Sequence, residues 1–374
     1  MKKIFTLLFI IALFSVLVAC EGKQTFDIAL VTDVGTVTDK SFNQGAWEGV
    51  LQFADEFDVS RQYIQPANQT TDEYVKSIDQ AVTDGAKVIV TPGYFFENAV
   101  WIAQTKYPEV LFIFLDGSPS NIVNWDTGDT LDGENFFADA TKGDFTHEDN
   151  VLSIFYAENE SGFLAGYAAV KDGLTKLGFM GGKAVPAVVR FGYGFIQGAN
   201  YAATEMELAN GAISMKYNYL GGFGPDTTFQ AKAASWYNTG TEVIFAAAGG
   251  AGGSVFAAAL QESGKAIGVD VDQRAESTTI ITSAMKQLAP SVYESLKAWY
   301  NDEFPGGEVQ RYNAANDGVK LADDFDRFTT FNKAAYDVIL AKIVNGTIVV
   351  DDESVIGAVA FAATYLKITF EYQE

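Results

Sequence analysis

A single cysteine, Cys20, and a single histidine, His147, stand among 374 residues. One thiol excludes an intramolecular disulfide and any multi-thiolate zinc site. One imidazole, with no nucleophile in its local sequence, gives no basis for a Ser–His or Cys–His pair, and His147 is expected at the surface. No GxSxG elbow, HExxH pair or Walker loop is present, so catalysis has no motif to rest on. Positive charge is scarce: 25 Lys and Arg face 48 Asp and Glu, a formal net charge of −23. Such a surface repels nucleic acid and anionic lipid headgroups, and neither is an expected ligand. Past the N-terminus no apolar run reaches the roughly 20 residues of a spanning helix; Val355–Leu366 is too short and too rich in alanine.

What is present begins with Lys2 and Lys3 and the apolar run Ile4–Ala19 (IFTLLFIIALFSVLVA). A basic start and a short apolar stretch mark a secretory signal peptide over residues 1–19. Leu17-Val18-Ala19-Cys20 resembles the bacterial lipobox, in which the thiol receives a diacylglycerol and cleavage makes the cysteine the new N-terminus. Cys20 is therefore the expected lipidation site, residues 20–25 a tether, and the extracytoplasmic face of the cell membrane the expected location. Two or three acyl chains, at about 0.8 kcal/mol per buried CH₂, anchor stably. Losing Lys2 and Lys3 takes the formal charge from −23 to −25.

Beyond the tether, strand-like and helix-like segments alternate. Phe26–Thr32, Gln62–Gln65, Ala86–Thr91 and Val110–Leu115 are apolar runs that predict buried parallel strands. Asn43–Glu56, Thr71–Asp84 and Phe96–Lys106 have helical spacing. The pattern restarts after residue 150, with helices at Ser161–Lys171, Val188–Ala202, Thr228–Tyr237 and Gly253–Ser263. Strands are expected at Lys176–Gly181, Ile213–Leu220, Glu242–Ala247 and Ala266–Val271. Two successive α/β units predict two doubly wound lobes, whose ligand lies beyond the carboxyl ends of the strands. The cleft is then expected just after Thr32, Thr91, Leu115, Gly181, Leu220, Ala247 and Val271. Between the units, Ser118–Asn150 is an acidic insertion with Asp126, Asp129 and Asp132. Its carboxylates are three apart rather than two, which favours a solvated surface segment over a calcium loop, so no metal is expected.

Several strand ends carry polar or aromatic residues. Asp33 follows the first strand, and Thr38-Asp39-Lys40-Ser41-Phe42-Asn43 opens the next helix. Ser41 or Asp39 suits an N-cap. Phe42 either packs under the loop or stacks on a ligand. Asp116 closes VLFIFLD, Asp270 closes AIGVD, and Phe223 follows the strand ending at Leu220. Gly249-Gly250-Ala251-Gly252-Gly253 places backbone where something approaches closely, without the lysine of a phosphate loop.

The blocks VTDVGTVTDKSFNQGAWEGV, VIVTPGYFF, FIFLDG, NESGFLAGYAAV, LGFMGG, YGFIQGA, IGVDVDQ and ITSAMK resemble, in order, the basic membrane protein family. These are substrate-binding lipoproteins of ABC importers, of the purine-nucleoside-receptor type. The resemblance runs from about residue 26 to about 335, with D-K-S-F-N its most specific part. It implies a type I periplasmic-binding fold, α/β with two Rossmann-like lobes joined by three crossing strands. The N-terminal lobe is expected over 26–118 plus about 281–325, and the C-terminal lobe over 119–280 plus about 326–374. The implied ligand is a nucleoside, a purine in expectation, delivered to an ABC permease and its ATPase by a monomer without a cofactor. Asp33 and Asn43 then match polar contacts, Phe42 and Phe223 the aromatics on either face of the base, and Asp116 the acid at the hinge. Gly249, Asp270 and Lys286 match the ribose contacts, although an exposed helical position is the default for a lysine such as Lys286. FYAENESGF and the tail Thr347–Glu374, with its strand-like TYLKITFEYQ, depart from the family pattern. A sugar or another small solute on the same fold, a nucleoside-cleaving surface enzyme and a surface antigen are the alternatives.

Overall fold

The computed structural model describes residues 25–33, 35–121, 123–124, 129–130, 147–352 and 356–373. The expected signal peptide, Cys20 and most of the acidic insertion lie outside these residues. The first lobe contains β1 (Ile28–Val31), β2 (Arg61–Ile64), β3 (Val88–Pro92), β4 (Leu111–Leu115) and β7 (Val151–Tyr156), while β5 (Val123–Asn124) and β6 (Asp129–Thr130) form a separate two-stranded ribbon. The second contains β8 (Lys176–Gly181), β9 (Ile213–Tyr219), β10 (Val243–Ala247), β11 (Lys265–Asp270) and β12 (Ile280–Lys286). Three later strands follow, β13 (Val309–Tyr312), β14 (Val319–Leu321) and β15 (Ile368–Tyr372).

The sheets run β2-β1-β3-β4-β7-β13 and β9-β8-β10-β11-β12-β14, the second extended at the β9 edge by β15. Every pairing in the two is parallel except β12 with β14. The shared order makes the lobes similar doubly wound units, each with a switch point beside its first strand. Helices cover both faces, so β1 (IALV) and β10 (VIFAA) are buried along their whole length. In α1 (Phe42–Phe57), Ala46, Val50, Phe53 and Ala54 form the buried stripe that its 3.6-residue spacing predicts. The next helices are α2 (Thr71–Thr83), α3 (Glu97–Lys106), α4 (Glu158–Lys171), α5 (Pro186–Glu205), α6 (Thr227–Asn238) and α7 (Gly252–Glu262). The last are α8 (Leu288–Tyr300), α9 (Lys333–Val344) and α10 (Ala358–Ala362). The apolar tail expected as a strand is one: β15 pairs in parallel with β9.

Among the described residues the chain changes sheet three times, between Tyr156 and Glu158, between Lys286 and Leu288, and between Tyr312 and Val319. These crossings correct the boundaries drawn from the sequence. Val151–Tyr156 belongs to the first sheet rather than the second lobe, while Ile280–Lys286 and Val319–Leu321 belong to the second sheet. The reason is pairing: β7 lies between β4 and β13, whereas β12 continues the ladder from β11. Helix α8 returns to the first lobe and packs on α1, where Gly49 allows the close approach; a Cβ there would sit 2.5 Å from the Ala289 carbonyl oxygen.

Helices α4 and α5 form a second tight seam. A Cβ on Gly162 or Gly166 would meet the carbonyl oxygens of Phe191 or Phe195 at 2.3 and 2.2 Å. On Gly194 or Gly198 it would meet those of Asn159 or Phe163 at 2.1 and 1.9 Å. The glycines of each helix therefore accommodate the backbone of the other, and the seam fixes the first turn of α4 beside the first turns of α5. His147 is not the free surface side chain expected. It is half-buried, with Nε2 2.8 Å from Ser153 Oγ and 3.2 Å from Ser118 Oγ, and burial lowers its pKa.

Candidate ligand-binding site

The carboxyl ends of strands from both sheets face one cavity between the lobes, the usual place for a ligand in open sheets of this kind. All eight residues singled out from the sequence line it: Asp33, Phe42, Asn43, Asp116, Phe223, Gly249, Asp270 and Lys286. So do Tyr94, Phe95 and Phe191, which the sequence reasoning passed over. Tyr94 and Phe95 had a signal, the aromatic run that directly follows the strand VIVTP.

Ser41 stands at the N-cap position of α1 but its side chain makes no cap bond, and Asp39 supplies it instead. Its carboxylate accepts from the backbone N–H groups of Ser41 (2.9 Å), Asn43 (3.1 Å) and Gln44 (3.0 Å). That frees the Ser41 hydroxyl to donate across the cleft to Asp270 Oδ2 at 2.5 Å. Asn43 Nδ2 donates to Asp33 at 3.0 Å and to Asp39 at 2.9 Å, which fixes the amide at the cavity wall. Phe42, at the first turn of α1, is placed with its ring centroid 4.8 Å from Lys286 Nζ. On the other lobe, the Phe223 carbonyl accepts from Ala251 N–H at 2.8 Å, and Gly249 adopts φ 57° against the Phe223 ring. Phe95 meets Phe223 edge-on at 6.4 Å, a ring contact between the lobes.

Lys286 ends β12 and is 3% exposed, so the default of an exposed helical lysine is wrong for it. Its ammonium lies 2.6 Å from Asp116 Oδ2, 3.0 Å from Glu158 Oε1 and 4.0 Å from Asp270 Oδ1. Glu158 in turn takes Arg190 Nε at 2.7 Å, and Arg190 Nη2 donates to Tyr94 OH at 2.9 Å. No local sequence signal marked Glu158 or Arg190, because each is defined by partners far away in the chain. Asp116 and Asp270 both have left-handed backbones, φ 60° and 67°. Such geometry costs a non-glycine residue about 1 kcal/mol, and its presence at two cavity acids suits a functional constraint.

The electrostatics follow from burial and this short list of cations. Burial pushes the Asp116 carboxyl up to about 7 despite the pull of Lys286, and its Oδ1 has no hydrogen-bond partner among the described residues. Burial also raises Asp270, against Lys286 and the Ser41 hydroxyl. It opposes ionisation of Glu158 too, but there Arg190 and Lys286 prevail and hold the carboxyl at about 2. For Lys286 burial disfavours the charge, and Asp116, Glu158 and Asp270 outweigh it, so the net shift is upward. A pH dependence results. The native Asp116 keeps its proton up to about 7, whereas an unfolded aspartate loses it near 3.8. Stability of the ligand-free protein is therefore expected to rise as pH falls from above 7 toward 4. Below about 4.5 the depressed Glu158 reverses the trend, since its stabilisation is lost as pH falls toward 2. Urea unfolding across this range checks both limbs, and Asp116→Asn should flatten the upper one.

Among the described residues no group of His, Cys, Asp and Glu is arranged to hold a metal, and no helix is long and apolar enough to cross a membrane. The arrangement suits capture: rings and carboxylates from two lobes line one cavity. A family model for ABC transporter substrate-binding proteins of the PnrA-like type matches residues 26–354. The ABC transporter nucleoside-binding protein BmpA of Lactococcus lactis subsp. cremoris is 29% identical, over 88% of this chain and 91% of its own. Basic membrane protein A1 of Borrelia garinii subsp. bavariensis is 27% identical, over 90% and 92%. A crystal structure of ABC transporter solute-binding proteins from Aeropyrum pernix K1 superposes with a TM-score of 0.71 at 20% identity, over 90% of this chain and 95% of that one. That structure shares the two-lobed solute-binding fold. The chain belongs to the Bmp family, the PnrA-like substrate-binding proteins of ABC transporters.

Proposed function

We propose that this protein captures a nucleoside, of the purine class in expectation, between its closing lobes and delivers it to an ABC permease and its ATPase. It does so as a monomer, held at the extracytoplasmic face of the membrane by lipid on Cys20, and it turns nothing over. One observation carries the ligand class: a single cavity gathers aromatic rings and carboxylates from both lobes, Phe42 and Asp116 from the first, Phe223 and Asp270 from the second. A nucleoside is an uncharged π-face joined to a diol. Stacking contributes about 1–3 kcal/mol per base on an aromatic ring. A hydroxyl donating to a carboxylate makes a charge-assisted bond, and Asp116 Oδ1 is an acceptor without a hydrogen-bond partner among the described residues. The same acids repel phosphate, so nucleotides are expected to bind poorly. The name of the Lactococcus relative agrees with this reading.

A free sugar on the same fold is the second reading, favoured by the carboxylates alone. Rings from both lobes argue against it. Thermal unfolding with a panel of nucleosides, sugars and amino acids tests the choice, since a ligand at 100 times its Kd stabilises by about 2.7 kcal/mol. Nucleosides should raise the midpoint and ribose should not; stabilisation by ribose alone would overturn the reading. Phe42→Ala should weaken nucleoside binding by about 5- to 150-fold in calorimetry, the equivalent of one lost stack. Release of free base on incubation would contradict the absence of turnover.

A further inference from the structure

Behind the cavity wall lies a charged pair that the ligand assignment does not use. Glu158 and Arg190 do not line the cavity, yet the Glu158 side chain is fully buried and that of Arg190 is 15% exposed. Glu158 is the first residue of α4, where a helix N-terminus favours its negative charge. Its two oxygens are divided between two cations, Oε1 toward Lys286 and Oε2 toward Arg190. Arg190 comes from α5 of the second lobe, and its other nitrogen reaches Tyr94 OH, which follows β3 of the first. The arginine thus touches the hinge and the facing lobe together. Lys286, the cation of the cavity, rests on the carboxylate that the arginine holds.

We propose that Arg190 is a positioning residue for ligand capture, fixing Glu158 beneath Lys286 with one nitrogen and clasping Tyr94 of the opposite lobe with another. The assignment rests on the cavity being the ligand site. With Arg190 in place, two cations serve the three buried carboxylates Asp116, Glu158 and Asp270. Without it Lys286 serves all three, is drawn toward Glu158, and leaves Asp116 and the ligand. The strong downward hold on the Glu158 carboxyl agrees with a pair that stays ionised. Closure depends on the same side chain, because Arg190–Tyr94 joins Lys286–Asp116 and Ser41–Asp270 as a direct bond between lobes.

A double-mutant cycle tests the positioning role, with calorimetric titration of inosine and guanosine into wild type, Arg190→Met, Lys286→Met and the double variant. Arg190→Met should weaken binding at least tenfold. The double variant should lose clearly less than the sum of the two single losses, because the Glu158 half of the arginine's effect runs through the lysine. Additive losses would overturn the proposal. Should Arg190→Met fail to fold, Glu158→Gln/Arg190→Met removes the buried pair together and should still bind at least tenfold more weakly; wild-type affinity there would overturn it. Small-angle scattering of the ligand-free chain reads the clasp separately. Tyr94→Phe and Arg190→Met should both enlarge the radius of gyration, and profiles identical to wild type would overturn it. If wild type binds neither nucleoside, the proposed ligand class fails while the scattering comparison still judges the clasp.

Discussion

Replacing Lys286 with methionine is expected to weaken nucleoside binding strongly, though still within reach of calorimetry, and to lower folding stability by about 3–5 kcal/mol, the usual result of stripping the partner from a buried ion pair. The ammonium is the cation that Asp116, Glu158 and Asp270 share within 4.0 Å. Methionine fills similar space but leaves Asp116 and Asp270 facing each other's charge across the cleft. The carboxyls then relieve the repulsion by taking protons. The deficit relative to wild type should therefore be largest at alkaline pH and shrink as pH falls toward about 7, because losing the pull of Lys286 moves the Asp116 titration above its wild-type range. Urea unfolding at pH 8 and pH 5, with calorimetry at both, checks the two halves of this expectation.

Gly198→Ala is expected to destabilise by about 3 kcal/mol or more, at the upper end of overpacking costs. A methyl at this position would lie 1.9 Å from the Phe163 carbonyl oxygen and 2.7 Å from its carbon. Both are main-chain atoms of α4, so no rotamer change relieves the clash, and the helices must separate. Separation pulls Arg190 on α5 away from Glu158 at the start of α4, so binding should weaken along with stability. Gly253→Ala in α7 is the control, because a Cβ there meets nothing within 4 Å. It should be neutral or stabilise by up to about 1 kcal/mol, as expected of Gly→Ala within a helix. Chemical denaturation of both variants gives the comparison directly.

How much of this was legible in the sequence depended on the range of the interaction. Parallel strands buried on both faces are apolar runs that end abruptly, so VLFIFLD and AIGVD announced both the strand and the acid at its end. The same logic located the cavity at the strand ends. The same position after VIVTP holds Tyr94 and Phe95, one glycine beyond the strand end. Glu158 and Arg190 gave no comparable signal. A glutamate opening a helix looks like any dipole-favoured surface residue, and the partners that bury it are 32 and 128 positions away. Lys286 is marked by the family resemblance alone, because the average lysine is exposed, a tendency that three buried carboxylates override. The lobe boundaries failed at β7 and β12 for a related reason. Membership of a sheet is set by which strand lies alongside, and neither VLSIFY nor IITSAMK reveals its neighbours.

The central claim is that the cavity between the lobes holds a nucleoside. Its most direct test is mass spectrometry of the small molecules released when freshly purified protein is denatured. The account predicts a nucleoside in roughly stoichiometric amount from wild type and its absence from Lys286→Met. Recovery of a sugar or an amino acid in its place would contradict the account.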